Sequence, residues 1–70
     1  MKQQSIGQIR EQLNMRPMET ARKLGISYTY LYSIENGLKK PSDTIKRKIC
    51  NLYGIDMNTL FLALEFSNSK

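Results

Sequence analysis

Gly25 stands between two short segments whose apolar residues recur at helical spacing, and the small residue Ala21 precedes it by four positions. The first segment opens on Pro17, which suits a first helical turn because its missing N–H would have had no partner there. Gly25 supplies the positive φ that a sharp turn demands, and Ser27 is a good N-cap for the segment that follows. Leu24, Ile26, Leu31 and Ile34 are spaced to hold the second helix against the first. A small residue at a close crossing, a left-handed residue four positions on, and apolar side chains bracketing the turn are each weak signals. In register they predict two helices meeting steeply over a turn of three or four residues.

The rest of the chain reads the same way. Ser5 caps a first helix reaching Leu13, with Ile6, Ile9 and Leu13 at helical spacing and Asn14 in the left-handed C-terminal position. The second helix spans Pro17 to Leu24, and the third follows Ser27 and stops before Gly37. A basic loop, Leu38-Lys39-Lys40-Pro41-Ser42, precedes a fourth helix that starts near Ser42 or Asp43, turns Ile45, Ile49 and Leu52 inward, and ends at Gly54. Asp56 then caps a short fifth helix holding Leu60, Phe61, Leu62 and Leu64. No stretch alternates as a strand would. The expectation is a compact all-α domain of five helices over residues 1–66, with 67–70 a flexible tail and the first few residues also disordered.

Seventy residues bury only about 60% of the surface of the unfolded chain, so the core is small. With one cysteine and no histidine, neither an intrachain disulfide nor a zinc site supplements it, and no metal or cofactor is expected. Cys50, beside Ile45, Ile49 and Leu52, reads as a small core residue. The net charge of +5 and a pI near 9.6 favour polyanionic partners, nucleic acid or an acidic membrane surface. The basic residues form no single stripe, which argues against a membrane surface. No apolar run approaches the roughly 18 residues of a membrane span, and a cytoplasmic protein of a bacterial cell or phage-infected host is expected. No nucleophile–base constellation or glycine-rich nucleotide loop is present, so neither an enzyme nor a small-molecule substrate is expected.

The third helix carries the function. At about 100° per residue, Tyr28, Thr29, Tyr32, Ser33 and Asn36 share one arc, while Tyr30, Leu31 and Ile34 lie opposite and face the core. An ordinary solvated face rarely holds two tyrosines and no charge. Hydroxyls and rings suit base edges, since Thr and Ser donate or accept and the Thr methyl can meet a thymine methyl. For Tyr28 and Tyr32 the alternative is packing at a helix rim or a dimer contact. Phosphate contacts come from basic side chains, amides and helix N-termini. Lys39 and Lys40 follow this helix directly, and Arg16 sits at the first turn of the second. Lys46, Arg47 and Lys48 span most of a turn, so they cannot all face one partner.

Ile6–Leu13, Ala21-Arg22-Lys23-Leu24-Gly25-Ile26-Ser27, Ile34-Glu35-Asn36-Gly37, Lys40-Pro41-Ser42 and the closing Asp56–Phe61 together resemble the lambda-type and Cro-type helix-turn-helix repressors of phages and bacteria. The resemblance covers roughly Ile6 to Phe61. It implies a lambda-repressor-like domain whose third helix enters the DNA major groove, usually as a dimer on a palindromic site. It places base contacts at Tyr28, Thr29 and Ser33, with Tyr32 added, an amide–phosphate contact at Asn36, and a partly buried ion pair between Arg10 and Glu35. Two positions depart from the pattern: Pro17 stands where many relatives have a glutamine that contacts phosphate, and Thr20 where many have leucine.

The segment Met57–Phe66 is apolar over more than one helical face, a surplus that points to a homodimer through the C-terminal helix; the alternative is that Phe61, Leu62 and Phe66 all fold back onto one core. The combined reading is a double-stranded-DNA-binding repressor of phage, plasmid or mobile-element type. The competing reading is a protein-interaction module of the same fold, such as an antitoxin, an antirepressor or a polymerase-contacting factor.

Overall fold

The computed structural model describes residues 4–68, with side chains through Phe66. Five helices follow in order: α1 (Ile6–Gln12), α2 (Pro17–Leu24), α3 (Tyr28–Glu35), α4 (Asp43–Tyr53) and α5 (Met57–Asn68). Among the described residues there is no strand.

Every helix but α2, which opens on Pro17, starts where a short polar side chain satisfies a free N–H group of the first turn. Ser5 and Gln8 form a reciprocal capping box, the Gln8 N–H donating to Ser5 Oγ at 3.2 Å and the Ser5 N–H to Gln8 Oε1 at 2.9 Å. Ser27 Oγ accepts from the Tyr30 N–H at 3.0 Å, and Ser42 Oγ from the Ile45 N–H at 3.3 Å. Asp56 Oδ1 accepts from the Thr59 N–H at 2.7 Å, and hydrogen bonding from Thr59 holds this carboxyl below its ordinary range. Asn14 takes the left-handed conformation after α1 with φ 58°.

Ile6, Ile9, Ala21, Leu24, Leu31, Ile34, Ile49, Tyr53, Leu60 and Ala63 are buried. They draw on all five helices, which suits a chain too small for a second core. Thr20 is buried as well, and its hydroxyl donates to the Arg16 carbonyl at 2.6 Å. The polar atom is thereby satisfied inside the helix, and the methyl fills space that a larger aliphatic side chain would otherwise take.

Several expectations need correction. Leu13 is 44% exposed: α1 ends one residue earlier and the chain turns through Asn14, so the helical spacing from Ile9 no longer carries it inward. Tyr30 is half-buried and does not reach the core proper. Cys50 lies at the margin of the core, its Sγ 3.4 Å from Met57 Sδ, with burial pushing the thiol above its ordinary value. Helix α5 continues to Asn68, so the boundary expected at residue 66 falls inside a helix. Residues 1–3 and 69–70, expected to be disordered, lie outside the described residues. On α5, Leu60 and Ala63 point into the core while Phe61, Leu62 and Phe66 remain exposed; these three do not fold back. Among the described residues no helix is long and apolar enough to cross a membrane.

Candidate nucleic-acid interface

The turn between α2 and α3 is built on Gly25, whose φ of 75° only glycine adopts without cost. Its N–H donates to Arg22 O at 3.1 Å, and the Ile26 N–H returns to Ala21 O at 3.0 Å. This satisfies carbonyls at the end of α2 and redirects the chain within three residues. Ala21 is buried at the packed side of α2, where a larger side chain would hold the two helices apart. Leu31 and Ile34 lock the inner side of α3.

The outer side of α3 is open. Tyr28 is 47% and Tyr32 53% exposed, and Thr29 is exposed between them. The two rings contact each other, with centroids 6.5 Å apart and planes tilted by 38°. Ser33 is half-buried and Asn36 exposed. The Asn36 carboxamide nitrogen donates to Tyr32 O at 2.8 Å, closing the end of α3. Among the described residues, Tyr28, Thr29 and Tyr32 stay exposed on this face.

The basic residues fall into distinct groups. Arg16 is exposed at the N-cap of α2 and makes no capping hydrogen bond with its side chain. It shares an open groove with Pro17, Met18, Glu19, Arg22 and Tyr28, so the start of α2 and the start of α3 form one surface. Met18 and Arg22 were not singled out from the sequence, although their one-turn spacing on the polar side of α2 would have placed them there. Lys39 and Lys40 are exposed in the loop after α3, which is tethered to the helix by the Leu38 and Lys39 N–H groups donating to Ser33 O at 2.8 and 3.4 Å. Lys46 lines one pocket with Lys39 and Lys40 and also pairs weakly with Asp43, one turn earlier on α4, at 4.0 Å.

Arg10 and Glu35 meet as the resemblance implied. Arg10 Nε donates to Glu35 Oε2 at 2.7 Å, and Arg10 Nη1 to the Met15 carbonyl at 2.8 Å. One side chain thus joins α1, the connection into α2 and the end of α3. The hydrogen bond to Glu35, more than the opposing cost of burial, raises the guanidinium above its ordinary value. Gly7 makes room for the pair: a Cβ there would stand 3.1 Å from Glu35 Oε1.

Two packed helices around a glycine turn, the second baring a neutral polar face beside basic residues, define a helix-turn-helix domain. The chain belongs to the helix-turn-helix family of DNA-binding regulators, in its Cro- and lambda-type branch: the family model matches residues 6–60, from the first residue of α1 into α5. It is also 39% identical over 51 residues to the ImmF control region 10 kDa protein of Bacillus phage phi105. That alignment covers 73% of this chain and 57% of the phage protein. No solved structure matches the chain.

Proposed function

We propose that this chain represses transcription by occupying an operator in double-stranded DNA as a homodimer, in the cytoplasm of a bacterial cell or phage-infected host. The observation that carries the reading is the outer face of α3, where Tyr28, Thr29 and Tyr32 are exposed while Leu31 and Ile34 brace the helix from behind. Tyr28, Thr29, Tyr32 and Ser33 meet base edges. Arg16, Asn36, Lys39 and Lys40 meet phosphates and set the register. Similarity to a phage control-region protein favours a regulator of phage type.

Exposed Phe61, Leu62 and Phe66 on α5 supply the surface for a second copy. An isologous pair sets two α3 helices about 34 Å apart, in successive major grooves of a palindrome. The same apolar face favours a second reading, in which the domain binds another protein and not DNA.

Selection of bound duplexes from a random pool tests the proposal. An inverted repeat among the selected sequences, with affinity falling steeply as salt rises, is the expected result. A pool that stays random, or binding to a protein partner that salt leaves unchanged, decides for the second reading.

A further inference from the structure

We propose that the Tyr28–Tyr32 ring pair, with the methyl of Thr29, reads the C5-methyl group of thymine in the major groove, so that the steps it contacts are A·T pairs. This rests on the DNA-binding reading above and adds the chemical group that is read.

The argument begins with what α3 lacks. Guanine is most often recognised by a bidentate Arg or Lys, and adenine by a bidentate Asn or Gln. From Tyr28 to Glu35 there is no Arg, Lys, Gln or Asn. The one charged residue, Glu35, is engaged by Arg10. Asn36 follows the helix, and one N–H of its carboxamide is taken by Tyr32 O at 2.8 Å, which turns the group to the end of α3 and leaves its other N–H for a phosphate. Lys39 and Lys40 lie beyond Gly37, in a loop tethered to the end of the helix. The usual bidentate code is therefore missing from this helix.

What α3 offers instead is carbon and hydroxyl. Hydroxyls of Tyr, Thr and Ser both donate and accept, so on their own they discriminate weakly among base edges. Carbon discriminates well, because thymine alone of the four bases presents an apolar group in the major groove. The two rings, 6.5 Å apart and tilted by 38°, turn adjoining carbon surfaces outward, each about half exposed. Beside Tyr28 the carbon surface continues onto Pro17 and Met18 in the groove between α2 and α3, with Arg16, Glu19 and Arg22 around it. On α3 itself the face from Tyr28 to Ser33 carries no charge, so a methyl group can seat against the rings with no charged side chain of that helix to desolvate.

The test replaces each thymine of a selected operator in turn by deoxyuridine, which removes the methyl and keeps the base pair. Binding of the full chain is followed by fluorescence anisotropy. At one or more positions in each half-site, affinity falls about fourfold, the equivalent of one methylene withdrawn from an apolar contact. Tyr28→Ala and Tyr32→Ala abolish the thymine–uracil difference at the position each ring touches, whereas Tyr28→Phe and Tyr32→Phe preserve it. Both side chains are solvent-facing, and unchanged thermal unfolding verifies that the variants fold. Uracil tolerated at every position, or discrimination lost in the Phe variants, overturns the proposal while leaving DNA binding intact. A pool with no preferred duplex overturns both.

Discussion

Arg10 and Glu35, 25 residues apart, are joined by a 2.7 Å hydrogen-bonded ion pair whose side chains are only 10% and 14% exposed. The pair anchors the last residue of α3 to α1, and the same guanidinium holds the Met15 carbonyl just ahead of α2. The orientation of the candidate recognition helix therefore depends on a contact outside the helix-turn-helix itself.

Removing one partner leaves the other charge buried without compensation. Arg10→Met or Glu35→Leu is expected to lower stability by about 3 kcal/mol, while the double variant Arg10→Met/Glu35→Leu loses less than either single change. Urea unfolding at neutral pH measures all three. A loss in the double variant equal to the sum of the two single losses would mean that the pair contributes nothing as a pair.

Gly7→Ala provides a more local probe. Gly7 is the second residue of α1, where the change gains less in propensity than the roughly 1 kcal/mol of a helix interior. Here the new Cβ presses on Glu35 Oε1 at 3.1 Å, and the carboxylate cannot yield because Arg10 holds it from the other side. A net loss of about 1 kcal/mol is expected. In a Glu35→Ala background the obstruction is gone, and the same substitution should become stabilising. A denaturant melt of the four proteins in that cycle reads the change of sign.

Tyr53 is buried, and among the described residues its hydroxyl finds no hydrogen-bond partner. Tyr53→Phe removes that orphan and is expected to be neutral or stabilising by about 1 kcal/mol. Burial, reinforced by the Glu35 charge and opposed by Arg10, pushes the phenol above its ordinary value of 10.0. The unfolded phenol thus ionises first. Its contribution to stability is complete below about pH 10 and is lost as pH rises from there toward the folded-state value. Thermal melts between pH 9 and 11 should fall more steeply for the natural protein than for Tyr53→Phe, and parallel curves would contradict the assignment.

On DNA, the two kinds of contact separate by substitution. Lys40→Ala should weaken binding to all sequences about equally and reduce the salt slope by about 1. Thr29→Ala and Ser33→Ala should relax preference at single base positions, by about 1–3 kcal/mol. Footprints and competition with operator variants distinguish these patterns. An operator footprint unaffected by Thr29 and Ser33 substitutions would show that the recognition face is misassigned.

Phe61 is 59% exposed and takes no part in the core cluster. Phe61→Glu should leave the helical signal intact and shift the chain from dimer to monomer in sedimentation equilibrium. A natural protein that sediments as a monomer at every concentration, and binds half-sites as well as palindromes, would remove α5 from the proposed interface.

The ends of the helices were legible residue by residue. Pro17, Gly25, Ser27, Ser42, Gly54 and Asp56 mark boundaries that the fold observes, because a helix terminus is a local problem: a few backbone groups need partners within about four residues, and the side chain that supplies them is adjacent in the chain. The two sides of α3 were legible for a related reason, since Leu31 and Ile34 against Tyr28 and Tyr32 make an unambiguous helical stripe. The Arg10–Glu35 pair came from family resemblance, as nothing local connects residues that far apart.

Burial on α5 was not written locally. Leu60-Phe61-Leu62-Ala63-Leu64 is apolar at every position, so periodicity favours no face. Packing of α5 against α1, α3 and α4 selects Leu60 and Ala63 for the interior and leaves the larger Phe61 outside. Leu13, Gly7 and Tyr53 tell the same story, each depending on what a distant segment occupies. Capping and turning are settled among neighbours in the chain, whereas the choice of which carbon surface escapes water is a collective one, made when segments far apart compete for the same limited volume.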